Sequence, residues 1–140
     1  MPVAAGAGGR CVTEYRVQAA VDSTELGQLR EAAWGAPDDG HAWPAILARS
    51  LTWVTAHDGG QLTGFVNVAW DGGAHAFLLD TTVHPDWQRR GVGAELVRRA
   101  ATSARALGAE WLHVDYEPHL SGFYESCGFR PTAAGLLRLR

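Results

Sequence analysis

The fold of this chain is decided by residues 83–94, Val83-His84-Pro85-Asp86-Trp87-Gln88-Arg89-Arg90-Gly91-Val92-Gly93-Ala94. Before this stretch apolar residues alternate as in a strand, and after it they recur every three or four positions as in a helix. A loop that opens a helix offers unpaired amide donors and the positive end of the helix dipole, and glycines let an anion approach the backbone. The stretch therefore predicts a phosphate-binding turn. Because a Gly-x-Gly pattern alone is a weak signal, a simple tight turn with solvated arginines is the competing interpretation.

Upstream of this stretch, three apolar-rich runs are separated by two Asp-Gly-Gly turns at 58–60 and 71–73. Such pairs supply the positive backbone angles of tight hairpins, so the runs predict an antiparallel meander. The runs are 51–57, 62–70 and 74–83. In the middle run one face is predicted to carry Leu62, Gly64, Val66, Val68 and Trp70.

Nearer the N-terminus, residues 15–20 predict a strand, and Asp22 and Ser23 cap a helix that extends to about Trp34. A short helix with Pro44 in its first turn is predicted over 42–49.

The helix after the turn is predicted to end at Gly108 and to lead into a strand over 111–115. Strand, helix and strand in this order imply a parallel pair joined by a crossover. A further helix over 120–127 and a final short strand region over 128–140 follow. The sequence therefore predicts an α/β fold with a mixed sheet and flanking helices.

Length and composition favour one soluble domain, with 140 residues, 46% hydrophobic residues and a net charge of −3. We assign this domain to residues 13–140 and a flexible Gly/Ala-rich tail to residues 1–12. All twelve basic residues are arginine and the balance is slightly acidic, which disfavours nucleic acid as a partner. No apolar run approaches the roughly 20 residues that span a membrane, so no membrane partner is expected.

Cysteine and histidine placement gives no sign of a metal or a disulfide. Cys11 and Cys127 lie far apart and are expected to be reduced thiols, which favours a cytoplasmic location. His75, His84 and His119 have no ligand spacing on one predicted element, so we expect no metal. Two tryptophans are expected in the core and three near loops that could line a substrate pocket. These are Trp53 and Trp111 for the core, and Trp34, Trp43 and Trp70 for the loops.

The turn resembles the cofactor loop of the GNAT superfamily of N-acetyltransferases, which reads Gln or Arg, two variable residues, Gly, one variable residue, then Gly or Ala. Here the loop is Gln88-Arg89-Arg90-Gly91-Val92-Gly93. The segments 79–85 and 123–129 are similar to the family's flanking segments and occur in the same order. The resemblance covers residues 15–129 and is strongest from 74 to 129. It implies a GNAT-like fold in which the two parallel strands splay apart to form a cleft.

The resemblance further implies acetyl-CoA as cosubstrate. The loop amides would hold the pyrophosphate, and the backbone of Thr81 and Val83 would pair with the acetyl-pantetheine arm like an added strand. The implied cofactor-binding residues are Thr81, Val83, Gln88, Arg89, Arg90, Gly91, Val92, Gly93 and Ala94.

For catalysis the attacking amine must be neutral, and the CoA thiolate that leaves must receive a proton. The resemblance implies Tyr124 as the general acid, and the competing interpretation is an aromatic residue packed beside Phe123 and Phe129. The base is open, because the glutamate of some family members would align near Phe77, which accepts no proton. The alternatives are Asp80, His113, Asp115, Glu117 and His119, of which Asp80, Asp115 and Glu117 are preferred as catalytic carboxylates.

The sequence thus predicts an acetyl-CoA-dependent N-acetyltransferase that acts on a small cationic primary amine by direct attack. Asp71, Asp80, Asp115 and Glu117 border the expected cleft and could attract an ammonium group. The alternatives are a protein or peptide N-acetyltransferase and a catalytically silent acyl-CoA-binding domain. Only residues 130–140 follow Phe129, where the family usually has two strands, so one strand is either abbreviated or supplied by a partner in a homodimer.

Overall fold

The computed structural model describes residues 12–140, so most of the expected tail, with Cys11, lies outside the described residues. The described residues form five strands and four helices. They are β1 (Glu14–Val17), α1 (Ser23–Trp34), α2 (Trp43–Arg49), β2 (Thr52–Asp58), β3 (Gln61–Trp70), β4 (His75–Val83), α3 (Val92–Ala106), β5 (Trp111–Val114) and α4 (Ser121–Ser126). Within this part of the chain, no helix has both the length and the apolar character needed to cross a bilayer.

The five strands form one sheet in the order β1-β2-β3-β4-β5. Strands β1 to β4 are antiparallel neighbours, and β4 and β5 are parallel. The predicted mixed sheet, with a meander followed by a parallel pair, is confirmed.

Local signals position the first helices as predicted. The Asp22 carboxylate accepts a hydrogen bond from the Glu25 amide at 3.0 Å, and Gly35 ends α1 with a φ of 78°. Pro44 lies in the first turn of α2, where its missing N–H costs no hydrogen bond.

Helices cover both faces of the sheet. Helix α3 packs on one face against β2, β3 and β4, and α1 and α2 cover the other face around Phe65. Strand β3 is therefore buried on both faces from Leu62 to Val68. A register shift between β2 and β3 also moves Leu62 to the face of α1 and α2, whereas Val66 packs under α3.

A second bulge interrupts β4. Phe65 pairs with Thr82 and Asn67 pairs with Leu79, so two residues of β4 lie opposite one of β3. Asp80, one of the two, has a φ of 59°. The pairing between β4 and β5 ends at Leu78 and Val114, so residues 79–83 have no ladder partner on the β5 side among the described residues. The two strands diverge at this point, as the resemblance implied.

The prediction of a final strand over 128–140 is wrong, because residues 127–140 form neither helix nor strand. Leu136, Leu137 and Leu139 are each more than 80% exposed. A strand is stable only when a neighbour pairs with it, and this segment pairs with none of the described strands.

Two tryptophan placements are also corrected. Trp111 is 51% exposed on the uncovered side of β5, and Trp43 is buried against the edge of the Phe65 ring.

Gly64 allows α3 to lie close to β3. A Cβ atom at residue 64 would come within 2.9 Å of Leu96 Cδ1 and 3.2 Å of Val92 Cγ1. Gly64→Ala is therefore expected to lower the free energy of unfolding by about 1–3 kcal/mol through overpacking. Urea denaturation measures the change.

The matched control is Gly122→Ala in α4, because a Cβ at residue 122 meets no atom within 4 Å. Alanine is a better helix former than glycine, so this variant should be as stable as the parent or more stable. Equal unfolding free energies for the parent and Gly64→Ala would show that α3 does not need this close approach.

Candidate active site

The turn between β4 and α3 is anchored at several points. The Trp87 indole nitrogen donates to the Asp58 carboxylate at 2.6 Å, and the His84 amide donates to the Thr63 carbonyl at 2.8 Å. A short 3₁₀ turn over Pro85–Trp87 joins these contacts. The turn is thus held against the hairpin between β2 and β3.

Six consecutive backbone amides, from Arg89 to Ala94, donate to no other described residue. Helix α3 begins without a side-chain cap, and Gly91 occupies its N-cap with a φ of 80°. Arg89 also has a positive φ, 65°. Free amides at a helix start form an anion site, and here the run is longer than the four that a helix leaves by itself. This geometry can bind an anion, and phosphate binding at the turn stays a prediction.

The side chains of the turn have separate roles. The side-chain nitrogen of Gln88 donates to the Val83 carbonyl at 3.1 Å, so this side chain binds the last residue of β4. Arg89 and Arg90 are exposed, and the Arg90 guanidinium lies 5.9 Å from the centre of the Trp87 ring. A Cβ at Gly93 would lie 3.4 Å from the Phe123 ring, which is an ordinary contact distance, so α4 packs beside this turn.

The charge of Glu95, in the first turn of α3, is compensated. Its carboxylate accepts hydrogen bonds from Arg98 and from Arg99, the latter at 2.6 Å. These bonds lower the pKa of Glu95 to about 2. The two arginines therefore reduce the repulsion between this carboxylate and an anion at the free amides.

Tyr124 lies in an aromatic cluster on α4. Its ring stacks on Tyr116 at a centroid distance of 5.0 Å and meets Phe123 and Phe129 edge to face. The residue is only 7% exposed. Its hydroxyl has no hydrogen bond to a described residue, and no buried side-chain oxygen or nitrogen in this part of the chain lacks a partner. The hydroxyl oxygen therefore lies at an accessible surface and not in the closed core.

The four candidate carboxylates have different surroundings. Asp80 lies at the β4 bulge and forms an ion pair with Arg30 at 3.3 Å. Asp115 and Glu117 are exposed just after β5, and neither forms an ion pair with a described residue. The Asp71 carboxylate accepts hydrogen bonds from two backbone amides of its own turn, and these bonds lower its pKa. Asp71 therefore stabilises the turn between β3 and β4.

A network around Arg30, which no pattern in the sequence indicates, ties α1 to the β4 bulge. Arg30 pairs with Asp38 and with Asp80, each at 3.3 Å, and lies over the Trp43 ring. The Trp34 indole donates to the Thr82 hydroxyl at 3.3 Å. Helix α1, the loop after it and β4 are thus joined beside the point where β4 and β5 diverge.

Two histidines pair across β4 and β5. His75 Nδ1 and His113 Nε2 are 2.8 Å apart, and the Phe77 ring stacks on His113. One ring nitrogen of His113, an alternative base, is thereby engaged. Among residues 12–140 no group of three or more possible ligands could hold a metal ion.

Cys127 packs partly buried against the core next to α4, and burial raises the pKa of its thiol. A thiol with a raised pKa is a poor nucleophile at neutral pH.

Comparison with known proteins identifies the type of domain. Residues 48–131 match the family model described as an acetyltransferase (GNAT) domain. Over 65 residues the chain is 34% identical to a mycothiol acetyltransferase of Mycolicibacterium vanbaalenii; the match covers 46% of this chain. The chain spans only 22% of that relative's length.

Solved structures share the fold. A GNAT family acetyltransferase from Streptococcus pneumoniae superposes with a TM-score of 0.77 at 24% identity, over 92% of this chain and 98% of that one. A GNAT family acetyltransferase from Brucella melitensis, solved in complex with acetyl-CoA, has a TM-score of 0.71 at 22% identity, over 87% of this chain and 85% of that one.

The Arg30 network predicts a stability effect. Arg30→Gln removes two partly buried ion pairs, so the free energy of unfolding should fall by about 1–2 kcal/mol. Amide exchange over residues 38–40 should become faster, because Asp38 loses its partner. Urea denaturation and hydrogen exchange measure the two effects.

Arg16→Gln is the matched control, because the Arg16–Glu14 pair is exposed and its loss should leave stability unchanged. If the two variants behaved alike, Arg30 would be an ordinary surface residue.

Proposed function

The chain belongs to the GNAT acetyltransferase family, and from this premise we propose that it transfers an acetyl group from acetyl-CoA to a small molecule that carries a cationic primary amine. The run of free amides from Arg89 to Ala94 carries this proposal. The pyrophosphate of acetyl-CoA is an anion that such donors can bind without help from side chains. The Brucella melitensis relative, which has the same fold, binds acetyl-CoA, and this supports the proposal.

The open edge of β4 suits the pantetheine arm. Residues 79–83 have no partner strand on the β5 side, so the backbone groups of this edge, apart from the Val83 carbonyl that accepts from Gln88, can pair with an extended chain. Thr81 and Val83 are the residues proposed for this contact. The arm would connect the phosphate turn to the point where the two strands diverge.

In the proposed reaction the neutral amine nitrogen attacks the thioester carbon and loses a further proton to solvent, the carbon–sulfur bond breaks, and the CoA thiolate takes a proton. Tyr124 is the proposed donor of that proton, because its hydroxyl is accessible and has no competing partner among the described residues. Solvent returns a proton to the phenolate before the next turnover.

The amine must lose a proton to become a nucleophile. Asp115 and Glu117 are exposed carboxylates without ion pairs to described residues, so they are free to attract an ammonium group and to accept its proton directly or through water. The Asp80 carboxylate already pairs with Arg30, which suits it to shape the bulge and to add negative charge beside the amine. We propose these three carboxylates as the cation-binding side of the site.

Gly91→Asp tests the phosphate turn. Aspartate tolerates the positive φ of residue 91, and a Cβ there meets no atom within 4 Å, so the fold should persist. The added charge should repel the pyrophosphate and weaken acetyl-CoA binding by about 10-fold or more. Isothermal titration calorimetry measures the affinity.

Gly91→Asn is the matched control, because asparagine has the same shape and the same tolerance of this φ without the charge. We expect less than about a threefold loss for this variant. Equal affinity of Gly91→Asp and the parent for acetyl-CoA would refute the assignment of the turn.

Tyr124→Phe tests the general acid. The ring and its stacking on Tyr116 are retained, so acetyl-CoA affinity should stay the same while kcat falls about 10²-fold. Thiol release from acetyl-CoA with a panel of small amines and peptides measures kcat across pH.

Tyr116→Phe is the control, since it removes a neighbouring hydroxyl from the same cluster and should leave kcat near that of the parent. If kcat of Tyr124→Phe matched the parent at every pH, Tyr124 would be a packed aromatic residue only.

Acetyl-CoA binding without thiol release with any amine would identify a silent acyl-CoA-binding domain, and release with peptides alone would identify a peptide acetyltransferase.

A further inference from the structure

A groove of about 280 Å³ lies between α2 and strands β3 and β4, and most of its lining residues have no role in the reaction proposed above. It is open to solvent and small for a ligand pocket, which suits a molecule of low mass. The groove is lined by Ala45, Ile46, Arg49, Ser50, Asn67, Ala69 and Leu79.

The walls of the groove are apolar. Ile46 of α2 and Leu79 of β4 are 38% and 42% exposed, although both are large hydrophobic residues. Ala45 and Ala69 are small and keep the groove open between them. Exposed apolar side chains that line one concavity favour an apolar segment of a ligand.

The floor of the groove contains the buried side-chain amide of Asn67, one polar atom of which has no hydrogen bond to a described residue. Asn67 is 2% exposed, and its side-chain oxygen accepts a hydrogen bond from the Ser50 hydroxyl at 2.6 Å. Its side-chain nitrogen bonds no described residue, and no fully buried side-chain nitrogen or oxygen there lacks a partner. The nitrogen is therefore not fully buried, and Asn67 is one of the residues that line the groove.

The Ser50 hydroxyl also lies 3.1 Å from the Ile46 carbonyl and has a single proton to donate. If the Asn67 amide were turned over, its nitrogen would donate to Ser50 and its oxygen would face the groove. In either orientation one polar atom of this buried side chain remains available to a ligand.

Arg49 provides the charge of the groove. It is the last residue of α2, it is exposed, and it forms no ion pair or side-chain hydrogen bond with a described residue. A guanidinium group presents paired N–H donors that match a carboxylate. An apolar groove with this cation at its rim is complementary to an apolar chain that ends in a carboxylate.

The groove leads to the proposed reaction centre. Leu79 directly precedes Asp80 at the bulge and pairs with Asn67, so the groove begins where β4 loses contact with β5.

We propose that this groove binds the part of the acceptor that does not react, and that the acceptor is an amino acid-like molecule. Its primary amine is cationic and lies at the bulge, a short apolar segment lies between Leu79 and Ile46, and a carboxylate pairs with Arg49. This inference rests on the proposed acetyl transfer and adds the substrate class.

The test compares three acceptors of similar length in the thiol-release assay, namely 6-aminohexanoate, hexylamine and 1,6-diaminohexane. We expect the parent to prefer 6-aminohexanoate over the other two by about 10-fold in kcat/KM. Arg49→Gln should raise KM for 6-aminohexanoate about 10-fold, with kcat unchanged and with no change for hexylamine, and Arg49→Lys should restore part of the loss. Arg105→Gln, at an exposed arginine of α3, is the control.

Calorimetry with 6-aminohexanoate and the CoA-bound protein tests acceptor binding in the groove separately from acetyl transfer. Binding that weakens in Arg49→Gln, without thiol release, would support the groove and contradict acetyl transfer. Thiol release with an unchanged KM for 6-aminohexanoate in Arg49→Gln, or a preference for 1,6-diaminohexane, would overturn the groove assignment and leave acetyl transfer standing.

Discussion

The free amides at the start of α3 are the feature on which the rest of this structure depends. Unpaired backbone donors are unfavourable unless water or a ligand satisfies them, and here six follow one another because Arg89 and Gly91 turn the chain with positive φ. The Trp87–Asp58 hydrogen bond holds the turn against the neighbouring hairpin, and Gly64 lets the helix lie close to the sheet. Much of the fold thus serves to present these donors rigidly.

The β4 bulge is the second constraint, because it separates the chemistry from the core. Before the bulge, β4 pairs with β3 on one side and with β5 on the other, and from the bulge onward the edge that faced β5 is open. The left-handed conformation of Asp80 is compatible with an ion pair to Arg30, which ties the bulge to α1 and its loop. The same strand therefore has an open backbone edge and, through Leu79, forms a wall of the groove, and these are the two surfaces proposed for the substrates.

Features that depend on local hydrogen bonding could be predicted from the sequence. The Asp22 cap and the Asp-Gly-Gly hairpins are set by residues within three or four positions, and the element boundaries they imply agree with the structure to within a few residues. The bulges, the Arg30 network and the open amide of Asn67 depend on partners distant in the sequence. Trp111 and residues 128–140 were misassigned for the same reason, since burial and strand pairing depend on what lies next to them.

Amide hydrogen exchange followed by NMR, without and with CoA, tests the central claim most directly. The account predicts that the amides of residues 89–94 exchange rapidly in the free protein, because they have no partner among the described residues, and become protected when CoA binds. The amides of Leu96 and Val97, inside α3, should be protected in both states. Protection that appears elsewhere on CoA binding, while residues 89–94 continue to exchange rapidly, would contradict the claim that these amides bind CoA.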